Sequence, residues 1–182
     1  MVSPLLNQLA PDFDRLAHNG QQVHLADFRG KNVVVLYFYP RDGTAICTRQ
    51  ACSFRDAFEE FVRAGAAVIG VSGDALERHR VFAEKQHLPF LLVSDGDGSL
   101  RKAYRVSRPL GILPGRTTFV IDKAGVVRHV FSRLFSAEPH VTEALEVVRR
   151  LAAEQATQTR RFACRTESNN PSSDSRRDHH EM

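Results

Sequence analysis

The feature that most constrains the fold is a strand, a helix and a second strand that follow one another within residues 32–72. Residues 32–39 are almost continuously β-prone, which is typical of a central strand covered on both faces. Residues 66–72 form the second strand, and Gly65 ends the intervening helix. Strand, helix and strand at this length predict two parallel strands. The helix is indicated by apolar side chains at helical spacing, namely Ala51, Phe54, Phe58, Phe61 and Val62.

Further elements on both sides of this unit complete an α/β pattern. Residues 22–28 alternate apolar and polar side chains and predict a short strand. Asp74 and Glu77 resemble a capping box that begins a helix reaching about Gln86. Residues 89–93 follow as a short strand.

The C-terminal half of the chain adds a hairpin and a last helix. A short helix is expected at residues 98–104. Two β-rich runs, 116–121 and 126–131, flank the turn signal at 122–125 and predict a β-hairpin. An amphipathic final helix is marked by Val141, Ala144, Leu145, Val148, Leu151 and Ala152.

The composition changes near Glu154, which sets the expected domain boundary. Residues 1–154 are predicted to form one α/β domain with a central mixed sheet between helices. Residues 155–182 are rich in Ser, Asn, Thr, Arg and His and carry few large apolar side chains. Such a segment buries too little surface to offset its ordering entropy, so we expect a disordered tail.

Charge and hydropathy exclude several classes of protein. The net charge is +4, but Lys and Arg are scattered among Asp and Glu, so we expect no nucleic-acid partner. No apolar run approaches the roughly 18 residues of a membrane span. The N-terminal residues lack the pattern of a signal peptide, and three cysteines are too few for a disulfide scaffold. These observations predict a cytoplasmic protein.

The residues after the first strand of this unit carry the chemistry. Pro40 ends the strand, a polar turn follows, and Cys47 stands where the helical pattern begins. Unpaired N–H groups and the positive end of the helix dipole favour a thiolate over a thiol at that position. A second cysteine, Cys52, lies five residues further along.

The sequence resembles the peroxiredoxins, most closely their Q-type branch, also called the bacterioferritin co-migratory protein type. The active-site signature corresponds to Pro40-x-x-x-Thr44-x-x-Cys47, and the resemblance covers residues 8 to about 152. The other matching segments are 10–13, 28–31, 37–40, 52–56, 70–72, 88–90, 94–95, 116–122 and 125–129.

This resemblance implies a thioredoxin-like fold and a thiol peroxidase that reduces hydrogen peroxide and organic hydroperoxides. It assigns Cys47 as the peroxidatic cysteine and Cys52 as the resolving one, with re-reduction by thioredoxin or a similar dithiol protein. Thr44 would hydrogen-bond the thiolate and the peroxide, Arg116 would hold both from the facing strand, and Pro40 would shield the pocket. Sulfur changes oxidation state itself, so neither a cofactor nor a metal is expected. Family members are commonly monomers.

The spacing of the two cysteines predicts a conformational change. Five residues of unbroken helix rise about 7.5 Å and turn through about 140°. A disulfide needs Cα atoms within about 7 Å and facing Cβ vectors. The hypothesis is therefore that the first turns of the helix unwind before a Cys47–Cys52 bond forms.

One departure from the family concerns the loop beside the thiol. Q-type proteins usually read Thr-Pro-Gly-Cys, whereas this chain reads Thr44-Ala45-Ile46-Cys47. The exchange removes a rigid and a permissive residue and places a bulky, β-branched side chain next to the thiol. We expect Ile46 to narrow the pocket or to favour apolar hydroperoxides.

Simpler interpretations remain open for each residue. Either cysteine of the helix could be an inert small hydrophobe, Arg116 a plain strand residue and Thr44 an ordinary helix-start residue. A zinc site at Cys-x4-Cys would need two further ligands, and no second close pair exists. Cys164 is expected to be a bystander in the tail.

Two other functions also remain open at this stage. One is a peroxide sensor or redox relay that passes its oxidation to a partner thiol, and the other is a binding module on a thioredoxin-like scaffold. Fast turnover with thioredoxin would favour the peroxidase over the sensor.

Overall fold

The computed structural model describes residues 3–106 and 115–167. Its strands are β1 (Asp14–Leu16), β2 (Gln22–His24), β3 (Val33–Phe38), β4 (Ala66–Ser72), β5 (Leu91–Ser94), β6 (Thr117–Ile121) and β7 (Val127–Ser132). Its α-helices are α1 (Ala45–Asp56), α2 (Phe58–Arg63), α3 (Leu76–Gln86), α4 (Ser99–Ala103) and α5 (Glu138–Glu167), and Leu25–Phe28 forms a 3-10 turn.

A five-stranded sheet in the order β5-β4-β3-β6-β7 forms the centre of the fold. β3, β4 and β5 are parallel, β6 and β7 are antiparallel to their neighbours, and β1 pairs with β2 in a separate hairpin. The predicted mixed α/β class, the parallel β3–β4 pair and the β6–β7 hairpin are therefore confirmed. None of the helices in the described residues combines the length and the apolar character needed to cross a membrane.

Strand β3 separates two hydrophobic cores, because successive side chains of a strand point to opposite faces. Val33, Val35 and Tyr37 pack with the helices α1, α2, α3 and α5. Val34 and Leu36 pack on the other face with α4 and the N-terminal hairpin. All six residues of β3 are buried, as expected for a strand covered on both faces.

Gly70 in β4 leaves the space that the Tyr37 side chain occupies. A Cβ atom at this position would lie 2.6 Å from Leu92 Cδ2 and 2.7 Å from the hydroxyl oxygen of Tyr37. The Tyr37 ring stacks on Phe54 of α1, with ring centroids 4.5 Å apart. This layer of aromatic side chains seats α1, the helix that carries both Cys47 and Cys52, on the sheet.

Three local predictions were wrong. The strand expected at 22–28 ends at His24 and continues as a 3-10 turn. The single helix expected through Val62 is interrupted at Ala57, where the backbone (φ −93°, ψ 2°) breaks the ladder of hydrogen bonds without any Gly or Pro. The capping box is absent, because the Asp74 carboxylate accepts hydrogen bonds from Asp42 N–H and the Ser72 hydroxyl instead.

Helix α5 continues to Glu167, beyond the domain end predicted near Glu154. The added residues contain no Gly or Pro and include several good helix formers, so the helix propagates past its packed portion. The first part of the predicted tail therefore belongs to this helix as far as Glu167, and the expectation of disorder stays a prediction. The remainder of the predicted tail, 168–182, lies outside the described residues.

Candidate active site

Cys47 lies in the first turn of α1, directly after the loop that leaves β3. The residue before the helix, Thr44, has an extended backbone (φ −76°, ψ 151°), which lets the chain turn into the helix there. The Cys47 side chain is buried, with 2% of its surface exposed. Arg116 Nη2 donates a hydrogen bond to Cys47 Sγ over 3.2 Å. This contact places the positive charge of a guanidinium directly beside the sulfur.

The Arg116 guanidinium is held in place by two further hydrogen bonds. Arg116 immediately precedes β6 and is 2% exposed. Its Nε donates to the Leu134 carbonyl over 3.1 Å, and its Nη1 donates to Gln50 Oε1. Because the guanidinium is planar, these contacts orient the remaining N–H group toward the sulfur.

Sequence reasoning missed Gln50, which is fully buried on α1. The available signal was its position three residues after Cys47, which places both side chains on one helix face. A fully buried amide on that face requires a polar partner, and Arg116 is that partner.

An apolar pocket of about 300 Å³ opens at the sulfur and at Arg116. Phe135 lines it while 78% of its surface is exposed, and no pattern in the sequence singled this residue out. The remaining lining residues are Pro40, Thr44, Ala45, Ile46 and Leu134. The structure therefore brings the predicted residues Pro40, Thr44, Cys47 and Arg116 together at one pocket.

Thr44 lines this pocket but is bonded elsewhere. Its hydroxyl donates to the Arg41 carbonyl over 3.3 Å, and it makes no side-chain cap on α1. The predicted hydrogen bond from Thr44 to the thiolate stays a prediction.

Cys52 is half-buried and contacts α3 rather than the pocket. Its Sγ donates to Gln86 Oε1 over 3.5 Å. Arg55 Nη1 donates to the Gln86 carbonyl over 2.8 Å, which ties α1 to the last turn of α3. Both thiols are free, and they face different neighbours.

His140 supports the segment that completes the pocket. Its Nε2 donates to the Arg133 carbonyl over 2.9 Å, and its Nδ1 lies 2.8 Å from Thr118 Oγ1. A carbonyl only accepts, so Nε2 carries the proton and Nδ1 of the neutral ring accepts from the Thr118 hydroxyl. Burial lowers the pKa of His140 to about 4, and the positive charge of Arg116 acts in the same direction.

This lowered pKa predicts a loss of stability in mild acid. Between pH 6.5 and about 4 the unfolded chain binds a proton at His140 that the folded chain does not, so stability falls as the pH falls through this window. Urea unfolding from pH 7.5 to 4 measures this, with His140→Asn expected to flatten the decline by at most about 3 kcal/mol. His87→Asn is the matched control, because His87 is exposed and its left-handed backbone tolerates Asn. Parallel declines in wild type and His140→Asn would contradict the prediction.

The described residues contain no group of three or more His, Cys, Asp or Glu side chains placed to hold a metal ion.

The fold and the site define a thioredoxin-like protein with a buried reactive cysteine that lies beside the guanidinium of Arg116. Comparison with known proteins agrees, since residues 6–130 match the AhpC/TSA family. The chain belongs to this family.

Individual relatives narrow the comparison to one branch. The chain is 47% identical to chloroplastic peroxiredoxin Q of Triticum aestivum over 142 residues, which are 78% of this chain and 65% of that protein. It resembles the crystal structure of peroxidoxin BcpB from Mycobacterium tuberculosis with a TM-score of 0.73 and 35% identity, over 80% of this chain and 96% of that one. The bacterioferritin comigratory protein of Xanthomonas campestris matches with a TM-score of 0.70 and 30% identity, over 77% and 92%.

These comparisons confirm two predictions, the Q-type peroxiredoxin resemblance and the thioredoxin-like fold. The wheat protein is named as a peroxiredoxin. The match spans slightly less than two thirds of the length of the wheat protein.

The predicted cytoplasmic location is wrong, because the curated relatives are named as chloroplastic proteins. The physical reason is that the residues of a folded catalytic domain serve packing and chemistry. A cellular address is read from separate targeting segments, so domain composition does not specify it.

Proposed function

We propose that this protein reduces hydrogen peroxide and organic hydroperoxides at Cys47. The observation that carries the proposal is the hydrogen bond from Arg116 to Cys47 Sγ at the base of an open apolar pocket. The thiolate attacks one peroxide oxygen, an S–O bond forms as the O–O bond breaks, and the second oxygen leaves as water or an alcohol once protonated. Arg116 stabilises the negative charge that moves onto the leaving oxygen.

Cys52 is proposed to resolve the resulting sulfenic acid. Its thiolate attacks Cys47 Sγ, a disulfide forms, and the oxygen leaves as water. A dithiol protein of the thioredoxin type then supplies two electrons. Because Cys52 Sγ contacts Gln86 while Cys47 Sγ contacts Arg116, the attack requires Cys52 to leave α3 and the first turns of α1 to unwind. A monomeric state is part of this proposal.

Peptide mapping by mass spectrometry tests the cysteine roles directly. Fully reduced protein is treated with one equivalent of hydrogen peroxide. A Cys47–Cys52 bridge supports both roles, whereas oxidation confined to Cys47 indicates a one-cysteine cycle with an external thiol. Three intact thiols would overturn the proposed function. Fast oxidation of Cys47 with poor turnover by thioredoxin would support a peroxide sensor or relay instead.

The lining of the pocket favours bulky apolar peroxides. Ile46, Leu134 and Phe135 line it with Pro40 and Ala45, and they offer no charged group to a substrate tail. The Xanthomonas campestris protein is described as having alkyl peroxide reduction activity. We propose the same substrate class here, with Ile46 and Phe135 as its contacts.

Replacing Ile46 with Gly is expected to reduce this preference. The ratio of kcat/KM for cumene hydroperoxide to that for hydrogen peroxide should fall about 10-fold, because the aryl group loses apolar contact while the small peroxide does not. Phe135→Ala should act in the same direction, and Val62→Ala, an exposed apolar residue on α2, is the control. Unchanged ratios in both pocket variants would contradict the proposed substrate class.

A further inference from the structure

A buried polar cluster lies beside the loop that leads to the active site. Asp42 Oδ1 accepts a hydrogen bond from the Tyr39 hydroxyl over 2.6 Å, and Asp42 Oδ2 lies 2.7 Å from His79 Nδ1. All three side chains are almost fully buried, with 2%, 1% and 0% of the surface of Asp42, Tyr39 and His79 exposed. A carboxylate only accepts, so His79 Nδ1 carries a proton and donates it.

The backbone of Asp42 is held as well. Its N–H donates to Asp74 Oδ2 over 2.7 Å, and the Ser72 hydroxyl donates to the same oxygen over 2.8 Å. The loop is therefore fastened to the end of β4 and to α3, two elements that do not carry the reactive cysteine.

Asp42 is the sole buried residue between Pro40 and Cys47. Arg41, Gly43, Thr44 and Ala45 are exposed, and Ile46 is half-buried. Apolar packing thus contributes little to the position of this loop. Its conformation depends on a carboxylate that is costly to bury unless both of its oxygens are paired.

We propose that His79 and Tyr39 are positioning residues that clamp Asp42 and thereby hold the loop and the first turn of α1 in the folded, peroxide-reactive arrangement. The effect of the clamp on turnover rests on the proposed function. The clamp itself is a property of the reduced protein and does not depend on that function. His79 lies outside the segments that carry the family resemblance, whereas Tyr39 lies within the matching run 37–40.

The clamp predicts opposite effects on two successive steps. Without it, the loop opens more often, so Cys47 and Arg116 are less often aligned for peroxide attack. The unwinding that brings Cys52 to Cys47 becomes easier. A variant lacking the clamp should therefore be oxidised more slowly and form the disulfide faster. A merely global loss of stability would not separate the two rates in this way.

The decisive variants are His79→Leu and His79→Asn. Leu fills the space without a donor, whereas the Asn side-chain amide can donate from the position of Nδ1. In His79→Leu, amide hydrogen exchange at residues 41–48 should rise about 10-fold, and iodoacetamide should alkylate buried Cys47 correspondingly faster. Peroxide oxidation should slow by a similar factor while disulfide formation accelerates. His79→Asn should restore values near those of the wild type.

The control is Leu151→Ala, which removes core packing on α5. Under conditions that match its loss of Tm to that of His79→Leu, exchange at residues 41–48 should stay near that of the wild type. Tyr39→Phe removes the other donor and provides the same test if His79→Leu does not fold. Unchanged exchange in the clamp variants, or no rescue by Asn, would overturn the proposal. Faster exchange in a protein whose wild type does not react with peroxide would support the clamp and contradict the proposed function.

Discussion

Replacing Cys47 with Ser is expected to abolish peroxide consumption, whereas replacing Cys52 with Ser should leave the first oxidation intact. A serine hydroxyl at neutral pH is not ionised and cannot take up the oxygen as a stable oxidation product, so no other group at the pocket replaces the thiolate. Cys52 contacts Gln86 on α3 and lies outside the pocket lining, so its loss removes only the resolving step.

Stopped-flow measurements with one equivalent of peroxide distinguish the two variants. Cys52→Ser should show a single turnover at nearly the wild-type rate and then accumulate oxidised Cys47. Cys47→Ser should show no reaction above background. Substantial peroxide consumption by Cys47→Ser would place the chemistry elsewhere and refute the site.

Replacing Arg116 with Met is expected to lower the second-order rate constant for Cys47 oxidation by about 100- to 1,000-fold. The magnitude corresponds to the loss of one preorganised donor to a charge that develops in the transition state. Met retains much of the buried volume but removes the cation beside Sγ, and it leaves the fully buried Gln50 without its donor. Arg116→Lys should recover only part of the rate, because an ammonium group lacks the planar fork that contacts Gln50, Leu134 and Cys47 together.

The matched control is Arg149→Met, which removes an arginine from the exposed face of α5, where it pairs with Glu60. Its oxidation rate should equal that of the wild type. Circular dichroism and Tm measurements establish that Arg116→Met is folded. An oxidation rate within a factor of about three of the wild type would mean that Arg116 does not stabilise the transition state.

The central part of the fold could be predicted because its signals are periodic and local. The buried run of β3, the helical spacing of Ala51, Phe54 and Phe61, and the run of β4 each report burial on one side or on both. The hairpin of β6 and β7 could be predicted because a turn signal separates two β-rich runs. Cys47 was identifiable for the same reason, because its position at a helix start follows from the residues on either side of it.

Contacts between residues distant in sequence could not be predicted in this way. The Asp74 carboxylate has the spacing of a helix cap, yet it bonds Asp42 N–H, a partner 32 positions away. Phe135 reaches the pocket from the segment after β7, and Gln50 bonds Arg116 across 66 positions. Each of these contacts depends on which side chains the completed sheet brings close together.

By itself, the sequence determined the α/β pattern, the two cysteines and the family resemblance, because these depend on side-chain type and spacing along the chain. The tertiary structure decided that Arg116 also contacts Gln50, that Cys52 faces α3, and that α5 continues to Glu167. Hydrogen bonds and packing between distant segments form only when the chain is compact, so their partners are selected by the whole fold.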